Sequence, residues 1–100
     1  MSDAFRQTFV IRADHPALPG HFPGDPIVPG VVLLDRVSAA CEAWCGRTPT
    51  TWPQAKFLAP LRPGEPAQIV LTRAGSGVRF SIERDSACIA SGSFECGESA

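Results

Sequence analysis

The sequence predicts an α+β fold in which a curved antiparallel β-sheet wraps around one central helix. Only residues 30–46 carry apolar side chains at a helical spacing. One strand-like segment precedes them, and a run of strand-like segments joined by tight turns follows. Because one helix cannot cover both faces of a sheet of about five strands, the sheet should curve round the helix. Its edge strands would then stay available for pairing with a second copy.

Length and composition indicate one globular domain, residues 1–100, with 44% hydrophobic and 19% charged residues. A chain of 100 residues builds a modest core, so we expect a partner subunit to contribute stability. The net charge of -1 gives no reason to expect binding to nucleic acid or to an anionic membrane.

The sequence contains no apolar stretch long enough to cross a bilayer, and residues 1–13 do not resemble a signal peptide. We therefore expect a cytoplasmic protein that does not insert into a membrane, with reduced cysteines. The cysteine spacing fits neither a zinc knuckle nor a CxxC pair. Cys41 and Cys45 are interpreted as small apolar residues on one helix face, with metal binding as the lesser alternative.

The first strand is predicted at residues 5–12, where apolar and polar residues partly alternate. Residues 13–30 form a long loop rich in proline and glycine, which is typical of a functional segment. The helix follows at residues 30–46, and Gly46 is placed to end it. Residues 48–53 are predicted to be a turn-rich linker. Four further strands are predicted at residues 54–61, 67–73, 78–84 and 87–95, with turns at 62–65, 75–77 and 85–86.

The chemistry is predicted to lie between His21 and Asp35, in the segment HFPGDPIVPGVVLLD. His21 can exchange a proton near neutral pH. Gly30 allows a ligand to approach the backbone where the helix begins and where free N–H groups attract negative charge. Asp35 is a carboxylate among apolar helix residues. A base, an acid and an electrophilic site are what the removal of water from a 3-hydroxyacyl thioester requires.

This segment resembles the active-site signature of the 3-hydroxyacyl-[acyl-carrier-protein] dehydratases, whose fold is the hotdog. The segment 21–24 (HFPG), Pro26, the segment 29–31 (PGV) and Asp35 fall in register with that signature. Residues 56–65 resemble the family's KFxxPxxPGD stretch, here ending in Glu65, and residues 89–95 (IASGSFE) resemble its last strand. The resemblance covers most of residues 13–95.

The resemblance implies that His21 is the base and Asp35 the acid, and that the two come from different subunits of a dimer. Gly30, Val31 and Phe22 are the residues expected to contact the substrate, an acyl carrier protein (or coenzyme A) thioester. The acyl chain would run along the subunit interface. No step requires a metal or another cofactor, so none is expected.

Asp35 matches the aspartate of the family's dehydratase-isomerase branch. The plain dehydratase branch has glutamate at this position. The rest of the motif is more similar to the plain branch, so isomerase activity is not expected. The short chain most resembles the dehydratases of aryl-polyene and related pigment pathways, which suggests a homodimer or a heterodimer with another hotdog subunit. Two other functions stay open: an acyl-thioester hydrolase, and a catalytically idle subunit that supports an active partner.

Overall fold

The computed structural model of the protein describes residues 4–12, 14, 27–75 and 77–96. Within these ranges the chain forms one helix and five strands, in the order β1 (Phe5–Phe9), α1 (Gly30–Cys45), β2 (Pro49–Phe57), β3 (Ala67–Ala74), β4 (Gly77–Arg84) and β5 (Ala87–Cys96). The strands form a single antiparallel sheet in the order β1-β3-β4-β5-β2. The predicted α+β hotdog arrangement of one helix and an antiparallel sheet is confirmed.

The core lies between α1 and one face of the sheet. Strand β3 buries alternate residues, as expected of a strand with one covered face. Helix α1 buries a stripe at helical spacing: Val32, Leu33, Val37, Ala40 and Cys41. No helix in the described ranges is long and apolar enough to cross a membrane.

The hairpin turns form where glycine and turn-forming residues predict them. Asp85 and Ser86 both have positive φ, at 52° and 67°, which is the backbone of a type I′ turn between β4 and β5.

Gly46, at φ 72°, ends α1 in the left-handed conformation, and its N–H donates to the Glu42 carbonyl. The predicted helix end is therefore correct to within one residue.

The prediction of a linker at residues 48–53 is wrong, because β2 already begins at Pro49. Proline cannot donate a ladder hydrogen bond, but among the described strands β2 lies at the sheet edge and pairs with β5 alone. The register against β5 shifts between Pro49 and Thr51 and again between Thr51 and Gln54. These irregularities accommodate a proline-containing segment that would not fit inside the sheet.

Two other strand limits differ from the prediction by more than one residue. Strand β1 ends at Phe9 rather than residue 12, and the Ile11 carbonyl instead accepts a hydrogen bond from the Gly64 N–H. Strand β2 ends at Phe57 rather than residue 61. Beyond it, the N–H groups of Leu58 and Ala59 both donate to the Ile89 carbonyl, so the chain leaves the ladder there.

Candidate active site

The start of α1 presents backbone donors. Pro29 is the N-cap residue and has an extended backbone, with no side-chain hydrogen bond that caps the helix. The Pro29 carbonyl accepts from the N–H groups of Val32 (3.0 Å) and Leu33 (3.4 Å). The N–H groups of Gly30 and Val31 precede these first helical hydrogen bonds, as at the start of any α-helix. This end of the helix carries the positive end of its dipole and has no acidic residue in the first turn.

Gly30 lies directly beneath an aromatic ring. A Cβ atom built on Gly30 would lie 2.8 Å from the Cζ atom of Phe57, closer than real Cβ contacts allow. The sequence predicted a close approach to the backbone at Gly30, and the structure places the Phe57 ring there. Half of the Phe57 surface is exposed, so the ring covers Gly30 without being buried itself.

A groove opens beside the helix start. It has a volume of about 540 Å³, and its lining consists of apolar residues from two segments, Ile27–Gly30 with Leu33 and Phe57–Leu61. The Val28 N–H donates to the Leu61 carbonyl at 2.8 Å, which ties the two segments together. Such a groove suits an apolar chain whose polar end reaches the N-terminus of α1.

Asp35 lies in the second turn of α1, on the exposed face of the helix. Val31 precedes it by one helical turn on the same face and is 72% exposed. In the isolated chain the Asp35 carboxylate therefore faces solvent. A second molecule or subunit would have to cover this face to remove the carboxylate from water.

The structure brings three of the five predicted site residues, Gly30, Val31 and Asp35, together on the first two turns of α1. His21 and Phe22 lie outside the described residues. The position of the predicted base relative to Asp35 therefore stays a prediction.

Hydrogen bonds and an ion pair of Arg84 and Glu65 hold the segment that follows β2 in place. The Arg84 Nη1 atom donates to the Pro60 carbonyl and lies 3.4 Å from the Glu65 Oε1 atom. The same Glu65 carboxylate accepts a 2.8 Å hydrogen bond from the Arg62 N–H. Glu65 was noted in the sequence only as the last residue of a motif. The pairing with Arg84 depends on a strand that lies 19 residues further along the chain.

A second groove, of about 320 Å³, lies on the sheet and is lined largely by polar residues of β2–β5, among them Gln54, Lys56 and Arg79. None of its described lining residues comes from α1. The groove beside the helix start includes Gly30 at the donor end of α1, where a developing negative charge would be stabilised, so this groove is the candidate active site.

Comparison with solved structures supports the fold. The chain is similar to the dehydratase heterocomplex ApeI:P from Xenorhabdus doucetiae, with a TM-score of 0.84 at 20% identity over 98% of this chain and 90% of that one. It is also similar to the fluoroacetyl-CoA thioesterase FlK, with a TM-score of 0.67 at 17% identity over 94% of this chain and 83% of that one. The same fold therefore occurs in a dehydratase complex and in a thioesterase.

Comparison of sequences separates these two. The 3-hydroxyacyl-[acyl-carrier-protein] dehydratase FabZ of Rhizobium rhizogenes is 34% identical over 64 residues, which are 55% of this chain and 41% of the relative. The chain thus spans less than half the length of this relative. Residues 2–93 match the model of the ApeI-like family, described as the ApeI dehydratase. Since this match covers nearly the whole chain, the protein belongs to the ApeI-like dehydratase family.

Proposed function

We propose that this chain dehydrates a 3-hydroxyacyl thioester to the trans-2-enoyl thioester, with the acyl group held on an acyl carrier protein or on coenzyme A. One observation carries the proposal. The donor end of α1 at Gly30 opens onto an apolar groove, and Asp35 follows five residues later on the exposed face of the same helix. This arrangement suits an apolar acyl chain with a polar, reacting end.

The proposed reaction breaks two bonds of the substrate. His21 takes the proton from C2, and Asp35 gives a proton to the hydroxyl on C3, which leaves as water. The electron pair of the C2–H bond forms the new double bond. While the proton leaves C2, negative charge develops on the thioester oxygen, and the Gly30 N–H with the helix dipole stabilises that charge.

We further propose that the site is completed by a second subunit. Val31, Phe57 and Leu58 are large apolar residues that are 50–72% exposed around the start of α1. A partner packed on this surface would bury them, desolvate Asp35 and close the groove into a tunnel. The partner would be a second copy or another hotdog subunit, and the related ApeI:P structure is itself a heterocomplex.

An assay with two readouts tests the reaction. The purified protein is incubated with a 3-hydroxyacyl thioester on a carrier protein, while enoyl thioester absorbance and free thiol are both followed. We expect enoyl formation without release of thiol. Release of thiol would show a hydrolase, and the absence of both signals in a folded sample would favour an idle subunit that needs a partner.

Variants test the assigned roles. His21→Ala should abolish dehydration, and Asp35→Asn should lower kcat by roughly 100-fold or more, because the amide cannot deliver the proton. Arg36→Gln, an exposed neighbour on the same helix, is the matched control and should retain the wild-type rate. Near-normal turnover in either the His21 or the Asp35 variant would refute the mechanism.

A further inference from the structure

Three cysteine thiols meet where the C-terminal part of α1 contacts the end of β5. The Cys41 Sγ atom lies 3.7 Å from the Cys45 Sγ atom and 3.6 Å from the Cys96 Sγ atom. All three sulfur atoms lie within 4.8 Å of one another. Cys41 is buried, whereas Cys45 and Cys96 are half-buried, so one side of this thiol cluster borders solvent.

The thiol cluster is separate from the candidate active site. Cys41 follows Gly30 by eleven residues on the same helix, a distance of about 16 Å at the rise of an α-helix. None of the three cysteines lines the groove beside the helix start. The proposed dehydration does not use them, so their function is an independent question.

We propose that Cys41, Cys45 and Cys96 bind one thiophilic metal ion of the Zn²⁺ or Cd²⁺ type through three thiolates. A tetrahedral ion with Zn–S bonds of about 2.3 Å holds its sulfur ligands about 3.8 Å apart. The Cys41–Cys45 and Cys41–Cys96 sulfur separations of 3.7 and 3.6 Å match this spacing. Because all the ligands are sulfur, the site favours soft ions over Mg²⁺ or Ca²⁺. A solvent molecule would complete the coordination on the open side.

Binding would exchange protons for the metal: three S–H bonds break, three metal–sulfur bonds form, and three protons leave to solvent. Burial and hydrogen bonds with Cys96 and Cys45 raise the pKa of the Cys41 thiol above its ordinary value. The metal-free protein therefore holds Cys41 as a neutral thiol that packs in the core. The bound ion would join α1 to the last strand, so it should stabilise the folded chain.

The test is a titration of the reduced, chelator-treated protein with Cd²⁺ alone. Thiolate-to-metal charge-transfer absorption and the melting temperature are both followed. We expect saturation at one Cd²⁺ per chain and a rise in Tm. Cys45→Ser and Cys96→Ser should each weaken binding at least about 10-fold. Cys88→Ser removes an exposed cysteine outside the cluster and should bind as the wild type does.

Three results would overturn the proposal. The first is the absence of charge-transfer absorption in the folded wild-type protein. The second is binding that survives Cys96→Ser but is lost in Cys88→Ser. The third is a thiol count, taken before the protein is reduced, that lacks two thiols in the wild type but none in Cys96→Ser, since the cluster would then be a disulfide-forming pair. Cys41 itself is left intact, because a buried serine hydroxyl would destabilise the fold.

Discussion

Gly30 is the residue at which the helix, the groove and the proposed chemistry meet. It opens α1, lines the groove and lies against the Phe57 ring. Sequence alone predicted that a glycine at this position permits a close approach. It could not predict the neighbour, because Phe57 lies 27 residues further along the chain. The need for a glycine at position 30 could thus be predicted from the sequence. The contact with the Phe57 ring, which creates that need, depends on tertiary packing.

We predict that Gly30→Ala lowers catalysis far more than it lowers stability. The new methyl group meets only the tip of a half-exposed ring, which can rotate away at a cost of about 1 kcal/mol. The displaced ring and the methyl group would crowd the thioester carbonyl, so kcat/KM should fall by at least roughly 10-fold. Steady-state kinetics and urea unfolding measure the two effects.

Gly92→Ala provides the contrasting control for this prediction. A Cβ atom there meets the backbone oxygen of Gln54 and lies 2.8 Å from the Phe80 ring. Backbone of the paired strand β2 cannot rotate away, so this variant should lose stability by several kcal/mol. Equal losses of stability in the two glycine variants would contradict the assignment of Gly30 to substrate approach.

The cysteines show the same limit of sequence reasoning. The helical spacing of Cys41 and Cys45 correctly places them on one face of α1. Cys96 is 55 residues from Cys41 in the chain and joins them only because β5 ends beside the helix. A two-cysteine pattern favoured ordinary packing, and the third thiol changes that interpretation.

At the scale of elements, the segment that follows β2 is held in place by hydrogen bonds outside the strand ladder. Its hydrogen bonds run to the Ile89 carbonyl, to the Val28 N–H and to the Arg84 guanidinium. Arg84 is the last residue of β4, and its side chain is 22% exposed. It thus connects the central strand of the sheet with one wall of the groove.

We predict that Arg84→Ala loosens this wall. Because the Glu65 partner is 37% exposed, the ion pair adds little, and we expect a loss of stability of about 1 kcal/mol. The larger effect should be a raised KM for the acyl substrate, with kcat less affected. Arg79→Ala, an exposed arginine on the same strand, is the control and should change neither value. An unaltered KM in Arg84→Ala would show that the wall is held by its backbone hydrogen bonds alone.

The elements themselves were predictable where the signals are local. The helix and the turn at Asp85 and Ser86 each depend on residues adjacent in sequence, and both were placed to within one residue. Strand β2 was placed five residues too late, because Pro49 and Pro53 indicate a turn. Only its position at the sheet edge makes those prolines acceptable, and sequence does not reveal strand order.

At the scale of the whole molecule, the isolated chain leaves the candidate site open to solvent. Exposed apolar residues surround the helix start, and Asp35 faces solvent. Both features are explained if a second subunit packs on this surface. The modest core expected for this length leads to the same conclusion. The family resemblance provides the explanation that we favour, in which each site takes His21 from one subunit and Asp35 from the other.

Mixing two inactive variants tests this arrangement for a homodimer. When His21→Ala and Asp35→Asn chains are unfolded and refolded together, each mixed dimer carries one intact site. About a quarter of wild-type activity should return, since half of the dimers are mixed and each has one of two sites restored. Each variant refolded alone serves as the control. No recovery, despite mixed dimers detected by mass spectrometry, would show that both residues act within one chain.

The departure of the chain from the ladder after Phe57 has a consequence for how such a domain diversifies. Residues 58–61 form a wall of the groove, yet they contribute no strand pairing of their own. Exchange of their side chains can therefore reshape the groove while the sheet register is preserved. At Gly92, by contrast, a single added methyl group meets the neighbouring strand. The fold thus allows one wall of the groove to vary within a short stretch of sequence, separate from the residues that specify its architecture.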